Sequence, residues 1–283
     1  MPELPEVETV RRGLAATVVG RRVERVEVGR ERTVRRTSRE AVIDRLTGTT
    51  MVAAGRRGKY LVCPLDSGDA VMVHLRMSGQ LILAASGTER PKHTHVVAHL
   101  AAGGGRGSEE LWFVDPRTFG EVVVFDPDRI EPEIPELARL GLDPFADGLS
   151  SAALEGMLRG RSRQIKALLL DQHVIAGLGN IYTDEVLHVA RIHPMRLSDR
   201  LRRPDVSRLA TAITDVLSAA VEAGGSTLAD AQYVDLMGRG GSYQSDHRVY
   251  GRTGLPCLTC GKATIRRLVT NGRSTHFCAV CQK

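Results

Sequence analysis

The first hydrophobic pattern of the chain is helical. Val7, Val10 and Leu14 recur at three- and four-residue intervals, the spacing of one face of an amphipathic helix. Pro5 suits the first turn, where a missing N–H costs no helical bond, and the acidic Glu6 favours the positive end of the helix dipole. We therefore predict a helix that starts at Pro5.

A series of short alternating segments follows this helix. β-Branched residues alternate with polar ones between turn-forming residues, which is typical of a β-sandwich or barrel. The predicted strands are Val23–Val28, Tyr60–Cys63, Val71–Leu75, Gln80–Leu83, His95–Leu100, Leu111–Val114 and Glu121–Phe125.

The second half of the chain changes to a helical period. An apolar stripe runs from Val206 to Ala220 and stops at Gly224, with Asp205 as the predicted N-cap. Shorter helices are predicted at Ser150–Leu158, Ser162–Asp171 and Asn180–Val189. Leu236–Gly254, rich in Gly, Ser and Arg, is predicted to be a long mobile loop.

These patterns predict an α+β protein of several domains. We expect a strand-rich domain over residues 1–130 and a linker with several prolines over residues 131–149. A helical domain over 150–235, a flexible loop over 236–256 and a small cysteine-containing module over 257–283 complete the chain.

Composition excludes several classes of protein. The 283 residues are 42% apolar and 25% charged, the balance of a soluble globular protein. No apolar run is long enough for a membrane span, and the first residues do not resemble a secretion signal. Five cysteines are too few for a disulfide scaffold, so a reducing cytoplasm is the expected compartment.

Positive charge is concentrated in two segments. Residues 238–283 carry eight Lys or Arg against one acid, and residues 21–36 contain seven arginines, within a net charge of +6. Such asymmetry favours a polyanionic partner, most simply nucleic acid. A solvated basic surface is the alternative that charge alone leaves open.

Four cysteines have the spacing of a metal site. Cys257 and Cys260 form one pair and Cys278 and Cys281 another, with seventeen residues between the pairs. Two such knuckles predict one tetrahedral Zn²⁺ with no open position, hence a structural zinc. Cys63 lies among hydrophobic residues and is expected to be strand core.

The amino terminus offers a nucleophile. Removal of Met1 would leave Pro2 with a free secondary amine, and Glu3 follows directly. An amine beside a carboxylate at a helix start suits Schiff-base chemistry at a sugar C1′. The same residues are also favoured simply as the start of a helix.

Six motifs in order resemble the bacterial formamidopyrimidine-DNA glycosylase family. They cover the chain from end to end and, as an ordered set, are highly specific. The motifs are Pro2-Glu3-Leu4-Pro5-Glu6-Val7-Glu8, Arg57-Gly58-Lys59-Tyr60-Leu61, His74-Leu75-Arg76-Met77-Ser78-Gly79, Asp115-Pro116-Arg117-Thr118-Phe119-Gly120, Gly177-Leu178-Gly179-Asn180-Ile181-Tyr182 and the cysteine-rich end Cys278-Ala279-Val280-Cys281-Gln282-Lys283.

The resemblance implies a bifunctional enzyme that excises oxidised purines and then cleaves the abasic strand by β,δ-elimination. The implied fold is an N-terminal β-sandwich, a helix–two-turns–helix domain and a zinc ribbon. Pro2 would attack C1′ and Glu3 would protonate the ring oxygen. Lys59 would be the second catalytic residue, and Arg273 would assist the last elimination. No organic cofactor is expected.

The implied partner is double-stranded DNA bearing oxidised purines. The protein is expected to act as a monomer and not to bind a membrane. Met77, Arg117 and Phe119 match the residues that fill the gap left by a flipped nucleotide, although Thr118 stands where the family often has a second basic residue. Phosphate contacts are expected from His93, Arg161, Lys166 and Asn180. The loop at 236–256 would cap the flipped base.

Two other readings stay open at this point. The endonuclease VIII-like branch shares the terminal Pro-Glu, the lysine and the zinc module, but prefers oxidised pyrimidines. A non-catalytic nucleic-acid-binding protein could use the ribbon and the basic loop alone. The aromatic content of 4% argues against a base-stacking platform of the RNA-binding kind.

Overall fold

The computed structural model describes residues 1–228 and 232–283. Residues 229–231, in the last part of the predicted 150–235 domain, lie outside the described residues. The chain divides into two compact units. The first comprises Met1–Arg139 with Ala223–Ser242, and the second comprises Leu140–Glu222 with Tyr243–Lys283.

The first unit carries two antiparallel sheets. Its helices are α1 (Leu4–Thr17), α2 (Arg39–Leu46), α3 (Ile130–Glu133) and α4 (Pro135–Ala138). Its strands are β1 (Val23–Val28), β2 (Gly55–Arg57), β3 (Tyr60–Pro64), β4 (Ala70–His74), β5 (Gln80–Ala85), β6 (Thr94–Leu100), β7 (Glu109–Val114) and β8 (Glu121–Phe125). The strand orders are β1-β6-β7-β5 in one sheet and β2-β3-β4-β8 in the other.

The two sheets share one hydrophobic core, as the predicted sandwich requires. Leu81 and Phe113 from one sheet and Leu61 and Val124 from the other belong to the same buried cluster. Cys63 lies in this core and is 1% exposed. Burial raises the pKa of its thiol to about 11, so the expectation that Cys63 is strand core is confirmed.

The second unit is helical with a terminal hairpin. It contains α5 (Ser151–Leu158), α6 (Ile165–Leu169), α7 (Asn180–Val189), α8 (Arg203–Glu222), β9 (Arg266–Thr270) and β10 (Arg273–Phe277). The N-cap predicted at Asp205 is wrong, because α8 begins two residues earlier. The Asp205 carboxylate accepts a bond from the backbone N–H of Arg202 at 3.1 Å, which satisfies a donor at the helix start.

Several other details differ from the sequence expectation. The expected linker contains α3 and α4, and the unit boundary falls after Arg139. β6 begins at Thr94, one residue before the predicted strand, and His93 directly before it has a φ of 69°. None of the helices within residues 1–228 and 232–283 is long and apolar enough to cross a membrane.

Candidate functional site

The start of α1 is buried and tied to a distant segment. Pro2 is buried, and Glu3 is the N-cap residue, 2% exposed. The Glu6 carboxylate accepts from the backbone N–H of Glu3 at 2.8 Å and from that of Ser226 at 2.7 Å. A Cβ on Gly225 would lie 2.7 Å from Glu6 Oε1. Glu6 therefore fixes the amino terminus against the segment that follows α8.

Lys59 occupies the tight turn between β2 and β3. Gly58 takes a φ of 57° there, a conformation that glycine adopts without strain. The Lys59 residue is only 6% exposed. A solvated lysine at a strand start would be far more open, so the turn holds this ammonium within the protein.

Two neighbouring crossovers connect the sheets. The first crossover, residues 75–79, leads from β4 to β5, and the second crossover, residues 115–120, leads from β7 to β8. β4 pairs with β8 through His74 and Glu121, and β5 pairs with β7 through Gln80 and Val114. The two crossovers therefore lie at the same end of the sandwich.

The crossovers expose the residues matched to the DNA-wedge positions. Met77 is 36% exposed on the first crossover and Phe119 is 40% exposed on the second. The Arg117 guanidinium lies 4.8 Å from the centre of the Phe119 ring, within cation–π range. The side chains of Met77 and Phe119 are therefore both accessible on the surface of the first unit.

The second unit carries a pocket of 330 Å³ at its hairpin. The residues that line it include Arg163, Lys166, Asn271 and Arg273. Arg273 is exposed at the start of β10. Asn180 begins α7, as predicted, and its Nδ2 donates to the Ser274 carbonyl at 2.9 Å.

Lys166 is placed differently from the other predicted phosphate contacts. Its side chain is 1% exposed, and Nζ lies 2.6 Å from Asp184 Oδ1 and 2.8 Å from the Ser274 carbonyl. The ammonium is thus bonded inside the unit. His93 and Arg161 are both exposed, as phosphate contact requires. Lys166 also lines the pocket that contains Arg273, and the phosphate contact expected of it stays a prediction.

The four cysteines form a closed metal site. Their sulfur atoms all lie within 4.8 Å of one another, and Cys257–Cys281 and Cys260–Cys278 Sγ–Sγ distances are each 3.8 Å. A Zn–S bond of about 2.3 Å in a tetrahedron places sulfurs about 3.8 Å apart. The donor set and its spacing therefore fit the one structural Zn²⁺ predicted from the sequence.

Two adjacent acids on α7 anchor the zinc module. Asp184 Oδ2 accepts from the His276 backbone N–H at 2.8 Å. Glu185 accepts from three successive backbone N–H groups, those of Arg248, Val249 and Tyr250, at 2.7–3.0 Å. Burial raises the pKa of Glu185, while these three bonds oppose the shift. Neither acid was predicted from the sequence, where their only signal is two adjacent charges within a helix that is buried from Ile181 to His188.

Family comparisons cover almost the whole chain. The formamidopyrimidine-DNA glycosylase N-terminal domain model matches residues 1–122, and the H2TH domain model of the same enzyme matches residues 140–232. A zinc finger found in FPG and IleRS matches residues 254–283.

Individual relatives are similar over their full length. The formamidopyrimidine-DNA glycosylase of Desulforamulus reducens is 42% identical, with 100% of this chain and 99% of the relative covered. That of Halalkalibacterium halodurans is 44% identical, with 100% of both covered. The Lactococcus lactis Fpg bound to DNA containing N7-benzyl-Fapy-dG superimposes with a TM-score of 0.89 at 36% identity over 100% of both chains. The same enzyme bound to abasic-site DNA gives 0.89 at 36% identity over 99% of both chains.

Proposed function

This chain belongs to the formamidopyrimidine-DNA glycosylase family and is a DNA glycosylase of base-excision repair. We propose that it excises oxidised purines and then cleaves the abasic strand. The substrates are 8-oxoguanine and formamidopyrimidines in double-stranded DNA. The buried Pro2-Glu3 start of α1 carries this proposal, because it sets a nucleophile beside a carboxyl group.

The terminal amine has to be released first. In this structure the Pro2 nitrogen is acylated by Met1, which is 39% exposed and therefore accessible to an aminopeptidase. Removal leaves a secondary amine at the positive end of α1, where the dipole favours the neutral, nucleophilic form.

The reaction then proceeds through an iminium. The Pro2 nitrogen forms a bond to C1′ while the glycosidic bond breaks, and the departing base takes up the proton that the amine loses. Glu3 then protonates the ring oxygen as the sugar opens to the iminium. The iminium makes the C2′ proton acidic, so its removal expels the 3′-phosphate. A second elimination expels the 5′-phosphate. Lys59 serves as the second catalytic group, and Arg273 assists the last elimination.

The exposed wedge residues serve base flipping. An intrahelical lesion hides C1′, so the nucleotide has to leave the stack. Met77 and Phe119 support the gap, and Arg117 contacts the orphaned base opposite. His93, Arg161 and Asn180 bind phosphates, and residues 236–256 cap the flipped base. We further propose that the enzyme acts as a monomer, in the cytoplasm.

Borohydride trapping tests the chemistry. A duplex bearing 8-oxoguanine opposite cytosine should give a covalent adduct whose mass maps to the amino-terminal peptide. Pro2→Gly should abolish this adduct, while the matched control Pro5→Ala, at the same helix start, should retain it. An adduct on another residue, or full strand cleavage by protein that retains Met1, would refute the proposed nucleophile.

The same assay distinguishes the other two readings. Preferential trapping on thymine-glycol DNA would identify the endonuclease VIII-like specificity. DNA binding without any adduct on either lesion, in protein shown to lack Met1, would leave a binding role only.

A further inference from the structure

One buried carboxylate touches both crossovers. Asp115 opens the second crossover and is 0% exposed. Its Oδ1 accepts from the Ser78 hydroxyl on the first crossover at 2.6 Å and from the Arg117 backbone N–H at 3.2 Å. Its Oδ2 accepts from the Gly120 backbone N–H at 2.7 Å. A single side chain thus joins the turn that carries Met77 to the turn that carries Arg117 and Phe119.

Both crossovers hold a residue in an unfavourable backbone conformation directly before an exposed wedge residue. Arg76 has a φ of 54° and precedes Met77, and Thr118 has a φ of 53° and precedes Phe119. Residues with side chains adopt this region only at an energetic cost, which the surrounding bonds have to offset.

Tight packing restricts the ends of the two turns. A Cβ on Gly79 would lie 2.5 Å from the Leu75 carbonyl, and one on Gly120 would lie 2.6 Å from Phe113 Cζ. Neither position can therefore carry a side chain unless its neighbours move, so both turns depend on glycine for this close backbone packing.

The first crossover is also fixed where it leaves β4. The Arg76 backbone N–H donates to His74 Nδ1 at 2.9 Å. Burial lowers the pKa of His74 well below its usual value, so the ring is neutral at physiological pH and Nδ1 can accept this bond. Met77 and Ser78 follow this fixed point in the turn, and the Ser78 hydroxyl donates to Asp115.

We propose that Asp115 is a positioning residue that locks the two crossovers into one rigid wedge for extruding the damaged nucleotide. This inference rests on the proposed function, since it concerns how that enzyme reaches its substrate. Unstacking a paired nucleotide requires work against the duplex. A wedge whose two halves move independently transmits that work poorly, because each half relaxes out of the gap.

Ser78→Ala tests the link and leaves the Asp115 turn itself intact. A loss of one hydrogen bond to a carboxylate corresponds to about a tenfold slower extrusion step. Stopped-flow fluorescence of 2-aminopurine placed beside 8-oxoguanine reports this step, and single-turnover excision reports its consequence. The natural abasic site has no base to unstack, so its cleavage rate should stay within about twofold of wild type.

Two further variants complete the experiment. Thr49→Val removes another buried hydroxyl, one bonded to the Leu46 carbonyl at 2.7 Å, and should leave both rates unchanged. Asp115→Asn replaces an acceptor by an N–H donor facing the backbone N–H or the Ser78 hydroxyl. It should reproduce the selective slowing of extrusion.

The outcomes separate this inference from the proposed function. A wild-type enzyme that neither excises 8-oxoguanine nor cleaves abasic DNA overturns the proposed function. Wild-type extrusion rates in Ser78→Ala and Asp115→Asn, in an otherwise active enzyme, overturn the positioning role alone. An equal slowing on abasic DNA would also overturn it, because that result indicates a general structural defect.

Discussion

Replacing Lys166 by methionine tests the internal ion pair of the second unit. Methionine keeps the length and apolar stem of the side chain but removes the ammonium. The Asp184 carboxylate, 0% exposed, then keeps only its bonds to the His276 backbone N–H at 2.8 Å and ring Nδ1 at 3.1 Å. A buried charge has lost its counter-ion.

The size of the stability loss in Lys166→Met follows from the burial of the ion pair. Breaking a fully buried pair by removing one partner costs about 3–5 kcal/mol, because the remaining charge stays desolvated. For a unit of this size, that corresponds to a fall in Tm on the order of 10 °C. The double variant Lys166→Met/Asp184→Asn removes both charges and should recover about half or more of the loss.

The assay combines calorimetry with DNA binding at several salt concentrations. Each phosphate contact adds about 0.9 to the slope of log K against log salt. Lys166→Met should lower Tm yet leave this slope unchanged, whereas Arg161→Ala, at an exposed arginine, should reduce the slope by about 0.9. An unchanged Tm together with a reduced slope for Lys166→Met would refute the internal role and support direct phosphate contact.

Two other perturbations follow from the same unit. Burial lowers the pKa of His247 from 6.5 to about 4. The stability that the neutral ring contributes is therefore present above pH 6.5 and is lost as the pH falls, because the unfolded chain takes up the proton first. The free energy of unfolding should fall by about 2 kcal/mol between pH 7 and pH 5. Denaturant unfolding at both pH values should show this loss, and His247→Phe should reduce it by about 2 kcal/mol. The remainder comes from other histidines whose pKa burial also lowers, among them His188 and His193; an undiminished loss in His247→Phe would contradict the assignment. Zinc chelation or Cys260→Ser should abolish DNA binding and lower the melting transition of the second unit. The fluorescence of Trp112, the one tryptophan of the sequence, should meanwhile show an unchanged first unit; a Trp112 transition that shifts in parallel would refute this independence.

The sequence predicted the sandwich because most of its strands carry regularly spaced apolar residues, although β4 and β8 are buried at every position. Val23–Val28 was predicted with the bounds that β1 has, because Val26 and Val28 alternate with a polar residue, although Glu24 and Arg25 are both exposed where the register shifts. β2 was missed because Gly55-Arg56-Arg57 offers no apolar residue to set a period. Helix α2 was missed for a similar reason, as only Val42 and Leu46 of its eight residues are buried.

The zinc site was predictable because both its ligands and their spacing are local. The positions of Asp115 and Asp184 were not, because an acid in a sequence is by default a solvated residue. Their partners lie 37 and 92 residues away, at Ser78 and His276. Such hydrogen bonds depend on which segments the fold brings together, and no short sequence motif predicts this.

A common principle connects these unpredicted acids. Glu6, Asp115 and Glu185 are each buried, and each accepts at least two backbone N–H bonds from turns or loops rather than only ion-pairing with an arginine. A carboxylate offers up to four acceptor positions, so one side chain can fix several irregular backbone segments at once. Apolar packing fixes sheets and helices well, but exposed functional turns have little apolar surface to bury. A buried acid that accepts such bonds therefore helps to fix a turn or loop whose backbone is not paired in a sheet or helix.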